Sequence, residues 1–425
     1  MTEYFAEGSP ESEIDGHRAG ELLDEMLAGL GRLDRVLLLP PDFSRFHSGA
    51  GELTVLLLER LRGRAHVEIM PALGTHFPMT PSELDRMFPG VPHDLFRVHD
   101  WRGALTRLGV VPGDFVKSVT EGKLDYPVPC EINRLLVDGK WDRIISIGQL
   151  VPHEVIGIAN QSKNIFVGVG GQETINKTHF IGAVCNMERV MGRADSPVRA
   201  VFDYMSEKFA STLPISYVLT VRQRRADGHL VTRGLFAGDD KACFLRGAAL
   251  CQRVNLDLLD KPLKRVVVFL DPEEFKSTWL GNKAIYRTRM AMADDGDLII
   301  LAPGVREFGE DPEIDRLIRK YGYHGTAHTL RLVAENPDLA ANLGAAAHLI
   351  HGSSEGRFRV TYCPGHISRE SIENAGFQFG DLVEMMDRYD IENLKDGPNR
   401  LADGEEFYYI SNPALGLWGL KSQFA

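Results

Sequence analysis

Three short apolar-rich runs constrain this chain most: Arg35–Leu39 (RVLLL), His66–Met70 (HVEIM) and Asp142–Ile147 (DRIISI). Each breaks at once into turn residues, so each reads as a buried parallel strand rather than a helix. Helical segments stand between them. TVLLLERLRGR has its acidic and basic ends in the favoured order, and Pro81–Phe88 opens with Pro81 and Glu83 in a first turn. The alternation predicts an α/β fold with a doubly wound parallel sheet. Asp42, Arg45, His76 and His153 all follow the carboxyl ends of these strands, where open α/β sheets bind ligands.

Further along, Ile215–Arg222 and Leu230–Phe236 read as a hairpin closed at Asp227-Gly228. The text turns polar near Leu258–Lys264, and a second α/β pattern follows. It has strands at Arg265–Leu270, Asp297–Ala302 and Arg357–Cys363, and helices around Asn282–Ala293, Pro312–Lys320 and Leu339–Ile350. The expected organisation is two domains, each with a mainly parallel sheet flanked by helices. Residues 1–260, rejoined by 405–425, form an N-terminal domain that binds the cofactor and carries catalysis. Residues 265–400 form a C-terminal α/β domain, and the active site lies in the cleft between the two.

Charge and cysteine usage narrow the function. A net charge of −11 disfavours nonspecific binding to nucleic acid or an anionic membrane. Five scattered cysteines without a C-x-x-C pair exclude a zinc ribbon or a dense disulfide framework and suit a reducing cytosol. The acidic N-terminus lacks a signal-peptide pattern, and no apolar run approaches the ~20 residues of a membrane helix. A cytoplasmic protein is expected, with no nucleic-acid or membrane partner. The GVGG run at Gly168–Gly171 is not a dinucleotide fingerprint, because Glu173 stands where the last glycine belongs. That disfavours a conventional NAD-linked dehydrogenase. The pairs His324/His328 and His348/His351 share helical spacing without an obvious third ligand, so they read as packing or capping histidines.

Residues 152–179, PHEVIGIANQSKNIFVGVGGQETINKTH, are less easily dismissed. Singly, each polar residue has an ordinary reading. Asp42 caps a helix, Arg45 pairs with Asp42, His76 closes a turn, Lys163 is solvated, His179 packs, and Lys283 is an ordinary helix lysine near Arg287 and Arg289. Jointly, the P-H-x9-K-x15-H spacing, the PDFSR segment at Asp42/Arg45 and the Gly74-Thr75-His76 triplet resemble the lactate racemase family. Its members carry a nickel-pincer nucleotide and invert 2-hydroxy acids.

The resemblance implies a role for each matching position. Lys163 tethers the cofactor covalently, and His179 is the nickel ligand. His76 and His153 are the catalytic acid/base pair. Asp42, Gly157, Gly168 and Gly171 help hold the nucleotide, and Arg45, Trp279 and Lys283 hold the substrate. Cofactor-biosynthesis enzymes are implied as loading partners. The chemistry suits these residue types. Taking hydride from C2 leaves a neutral 2-keto acid, but the hydroxyl proton must leave as well, and two enantiomers present that proton on different sides. Two histidines meet this need because imidazole titrates near neutrality. Arg and Lys offset the carboxylate, and soft sulfur donors with one imidazole suit nickel. Phe77 stands where the family usually has Arg, Ala159-Asn160-Gln161-Ser162 replaces a Ser-Gly-Gly stretch, and Leu280 replaces Gln. These wall changes point away from lactate toward a larger acid such as a sugar acid. The competing expectation is a nucleotide- or sugar-acid-binding protein without turnover.

Overall fold

The computed structural model describes residues 2–225, 228–414 and 416–424. The chain folds as two compact units. One is Met1–Ile181 with Val190–Asn255; the other is Gly182–Arg189 with Leu256–Ala425.

The first unit is built on six strands: β1 (Glu3–Gly8), β2 (Arg35–Leu39), β3 (His66–Ile69), β4 (Arg143–Gln149), β5 (Ile215–Arg224) and β6 (Leu230–Gly238). Their order is β1-β6-β5-β4-β2-β3. The β5-β4-β2-β3 portion is parallel, and β6 and β1 add antiparallel to its edge. Val36–Leu39 of β2 and Ile144, Ile145 and Ile147 of β4 are fully buried. This is why these strands read as unbroken apolar runs. Leu22, Leu23 and Met26 of the helix Gly16–Leu30, and Leu53, Leu57 and Leu61 of the helix Ala50–Leu61, bury their apolar stripes in one cluster with Val36, Leu38 and Ile145. Asp15 caps the first of these helices by accepting from the Arg18 amide at 2.8 Å.

The second unit holds β7 (Leu263–Phe269), β8 (Met292–Ala302), β9 (Arg359–Pro364), β10 (Gln378–Phe379), β11 (Gly397–Arg400) and β12 (Glu406–Ile410). The order is β10-β9-β8-β7-β12-β11, parallel except for the β11-β12 pair. Both sheets thus give the mixed α/β architecture, mainly parallel and flanked by helices.

Several details differ from the sequence reading. Residues 405–425 do not return to the first unit: β12 pairs with β7, and Trp418–Leu420 pairs with Asp257–Leu259. Phe407 and Tyr409 are buried in one cluster with Val267, Ile299 and Leu301, and that apolar burial keeps the segment in the second unit. The excursion Gly182–Arg189 also belongs there, and its Glu188 pairs with the buried Arg289 and with Arg357. The helix expected around Asn282–Ala293 is only Lys283–Tyr286 before turns lead into β8. The helix expected at Leu339–Ile350 is two, Pro337–Ala340 and Leu343–His351, because Asn342 caps the second by accepting from the Ala345 amide. The hairpin of β5 and β6 is present, but Asp227 of its expected turn lies outside the described residues. No helix among the described residues is long and apolar enough to cross a membrane.

Candidate active site

The chain runs from β2 outward to β3, then returns to place β4 on the other side of β2. That reversal is a topological switch point, and it leaves a crevice at the carboxyl ends of β2 and β4. A cavity of about 240 Å³ opens there. Asp42 and Arg45 reach it from the segment after β2, His76 from the segment after β3, and Gln149 and His153 from the end of β4. Lys163, Gly168 and His179 complete it from the following turn and helix. Seven residues singled out in the sequence, spread from 42 to 179, therefore share one cavity: Asp42, Arg45, His76, His153, Lys163, Gly168 and His179.

The buried Asp42 heads the turn Phe43–Ser48, but its side chain does not cap that turn. It accepts instead from His76 Nδ1 at 2.6 Å and from the Ser44 hydroxyl at 2.5 Å. Burial pushes the Asp42 carboxyl up, but the bonds from His76 and Ser44 together outweigh it and hold the group below its ordinary value. An anionic Asp42 fixes the His76 proton on Nδ1 and leaves Nε2 as an acceptor. Arg45 is exposed to the cavity, and no ion pair joins it to Asp42 among the described residues.

His153 sits on a tight two-residue bridge, Pro152–His153 against Gly157–Ile158. Its Nδ1 accepts from the Val155 amide at 3.1 Å, so the neutral ring carries its proton on Nε2. Burial holds this imidazole well below its ordinary pKa; Lys163 and Arg45 push the same way, against Glu154. The two histidines are thus prepared differently, one to accept and one to donate.

Lys163 precedes a π-helical turn, Asn164–Gly168, in which the Val169 amide reaches back to the Asn164 carbonyl at 3.2 Å. Such turns gather at functional sites. Asn164 is buried and pins the turn to both strands, donating to the Leu39 carbonyl at 3.0 Å and the Ser146 hydroxyl at 2.9 Å. Burial lowers the Lys163 pKa from 10.5 to about 8, with Arg45 adding like-charge repulsion. His179 rides on the helix Gln172–Val184 and donates from Nδ1 to the Ile175 carbonyl at 2.7 Å, which leaves Nε2 open to a metal. Burial, then Lys163, lowers its pKa to about 4, so the ring is neutral at physiological pH. Among the described residues no group of three or more His, Cys, Asp or Glu side chains could hold a metal by itself.

Of the three glycines assigned to the cofactor by resemblance, only Gly168 lines the cavity. Gly157 has φ +90, and a Cβ there would meet the Arg193 carbonyl at 2.0 Å; at Gly171 a Cβ would meet the Glu131 carboxylate at 2.6 Å. Both allow close chain passage rather than cavity contact. Trp279 and Lys283 belong to the second unit, where Trp279 stacks on His348 at 4.2 Å and the Lys283 ammonium lies 5.6 Å from the Phe275 ring centre. The rings of His324 and His328 stand 5.2 Å apart, edge to face, and His348 and His351 are buried. Sequence reasoning missed Gln149, Glu154 and Asn164. Asn164 had a signal, a lone amide opening the otherwise apolar NIFVGVG.

Residues 23–192 match the lactate racemase N-terminal domain family. A crystal structure of a protein from Thermotoga maritima is 24% identical over 95% of this chain and 100% of its own, with a TM-score of 0.74. The lactate racemase apoprotein from Thermoanaerobacterium thermosaccharolyticum is 17% identical over 96% of this chain and 93% of its own, with a TM-score of 0.72. At these identities the two likenesses are of fold. A search of the curated proteins gave no match.

Proposed function

For a chain whose residues 23–192 match the lactate racemase N-terminal domain family, we propose a racemase or epimerase of 2-hydroxy acids that works with a nickel-pincer nucleotide. The observation that carries this reading is the convergence of Asp42, Arg45, His76, His153, Lys163 and His179 on one cavity at the switch point. The residues fit the cofactor. His179 offers the single imidazole that a metal with its own carbon and sulfur donors needs. Lys163 offers an amine that loses its proton near pH 8, ready for covalent attachment. When bound, the group supplies the acceptor that takes hydride from C2 and returns it.

The remaining work belongs to side chains. Arg45 receives the substrate carboxylate in its forked geometry. His76, with Nδ1–H held by Asp42, presents Nε2 to a hydroxyl proton. His153, with Nδ1 held by the Val155 amide, presents its Nε2 to the opposite side. In each direction of inversion one imidazole takes the hydroxyl proton and the other, as imidazolium, returns a proton on the opposite side. Ser44, Thr75, Gln149 and Glu154 add polar groups to the cavity wall, which supports a polyhydroxylated acid over lactate. Loading depends on enzymes that make the nucleotide.

The test is a panel of 2-hydroxy acids offered to protein made beside the cofactor pathway, read by stereochemical inversion at C2. Inversion of at least one sugar acid is expected. Binding without inversion across the panel, by protein that carries the cofactor, would identify a sugar-acid-binding protein instead.

A further inference from the structure

Arg199 lies outside the cavity and has no part in the chemistry above, yet its placement is hard to explain as ordinary packing. It stands in the first turn of the helix Pro197–Lys208, where the helix dipole opposes a cation. It is 0% exposed, and the carboxylate its charge feels, Asp203, is itself paired with Lys241. The guanidinium lies 4.1 Å over the Phe244 ring. Among the described residues its guanidinium makes five hydrogen bonds, all to one segment. One terminal nitrogen donates to the Gln161 side chain at 3.0 Å and the Ser162 hydroxyl at 2.8 Å; the other donates to the Ile158 carbonyl at 2.7 Å. Both reach the Asn160 carbonyl at 3.3 Å. Ser196, which caps the same helix, donates to the Ile156 carbonyl at 2.7 Å.

The clamped segment is the strained one. Asn160 and Gln161 are consecutive non-glycine residues with φ 68 and φ 57, a left-handed pair that side chains disfavour. Such a pair persists only when its surroundings over-determine it. Immediately after it come Ser162 and Lys163, and the Lys163 amide bonds back to the Asn160 carbonyl at 3.3 Å. The direction of Lys163 is therefore set by a turn that Arg199 holds.

We infer that Arg199 is the positioning residue for Lys163: its buried, forked guanidinium locks the left-handed Asn160-Gln161 pair and so delivers the lysine amine to the cavity. The functional meaning of this rests on Lys163 as the cofactor tether, but the positioning itself does not. Lysine cannot replace the fork, because an ammonium is a point donor. Glycines at 160 and 161 would make the clamp less necessary, because they adopt left-handed angles without strain.

The experiment uses the full-length chain made without the cofactor pathway. Lys163 is labelled with a small amine-reactive acylating reagent from pH 6 to 11 and read by peptide mass mapping, with the exposed Lys320 as internal reference. Wild type is expected to label with a midpoint near pH 8. Arg199→Lys, which keeps the charge that also lowers Lys163 and removes only the fork, moves the midpoint up by half a unit or more, about a threefold loss at pH 7, while Lys320 is unchanged; Arg199→Met loses the charge as well and moves it further. In the Asn160→Gly/Gln161→Gly background, Arg199→Met shifts it by less. If Arg199→Met does not fold alone, that background supplies the comparison. A Lys163 profile that Arg199→Lys leaves unmoved in the wild-type background, or an Arg199→Met shift as large in the double-glycine background as in the wild-type one, overturns the inference. Because no cofactor enters the assay, these outcomes are independent of whether Lys163 ever carries a nucleotide.

Discussion

Lys163→Met should make the cofactor-free protein more stable, and only in one pH range. The ammonium is enclosed except where it faces the cavity, and its pKa falls from 10.5 to about 8. Below about pH 8 the lysine is protonated in folded and unfolded chains alike, so the full cost of burying charge opposes folding. Between 8 and 10.5 the unfolded chain binds more protons than the folded one, so stability rises with pH. Above 10.5 both states are neutral and the cost is gone. A gap of about 2.5 pH units (10.5 less about 8) corresponds to about 3 kcal/mol at most. The water of the cavity reduces this, and about 1.5–3 kcal/mol is expected at pH 7. Methionine keeps the length and apolar stem without the charge. Two units need not unfold together, so the assay must report on the first alone. Urea titration with a thiol-reactive mass tag does this, read at Cys130 and Cys251, both buried in the first unit. The variant should lead at pH 7 and lose most of that lead at pH 10.5. A lead equal at both values would mean packing, not charge, and a less stable variant at pH 7 would refute the reasoning outright.

His179→Ala should lose nickel on purification, while His76→Ala and His153→Ala keep it and fall roughly 10²-fold in turnover; metal analysis beside the inversion assay separates these. Asp42→Asn should also cut turnover, by about 10-fold or more, because the amide no longer fixes the His76 proton on Nδ1. Its kcat–pH profile should change shape while nickel content stays level. Gly157→Ala should destabilise the first unit by about 2 kcal/mol or more, since the added carbon would press on the Arg193 carbonyl; the thiol-tag titration reads it. Lys283→Ala, at a position the resemblance gives to the substrate, should raise KM with nickel unchanged.

Much of the first unit was legible because β2 and β4 are buried parallel strands, and burial on both faces writes itself as an apolar run. The site was legible because the switch point concentrates polar residues just after those runs. Edge strands were harder. β1 is a half-exposed acidic segment whose Tyr4 hydroxyl finds Asp239 far along the chain, and nothing local encodes that pairing. The hairpin Leu105–Val111 with Val128–Asn133 was missed for a related reason, its strands being separated by a helix rather than a turn. The helix expected from 282 ends at Tyr286, and turns then lead into β8 at Met292. Arg199 was invisible in the sequence, since its meaning depends on a left-handed pair nearly forty residues upstream.

The central claim is that Lys163 carries a nickel-bearing nucleotide beside His179. Intact-mass and peptide mapping of protein made beside the cofactor pathway test it most directly. The account predicts a mass increment confined to the Lys163 peptide and about one nickel per chain, both lost in Lys163→Met. Fully active protein with an unmodified Lys163 would contradict it.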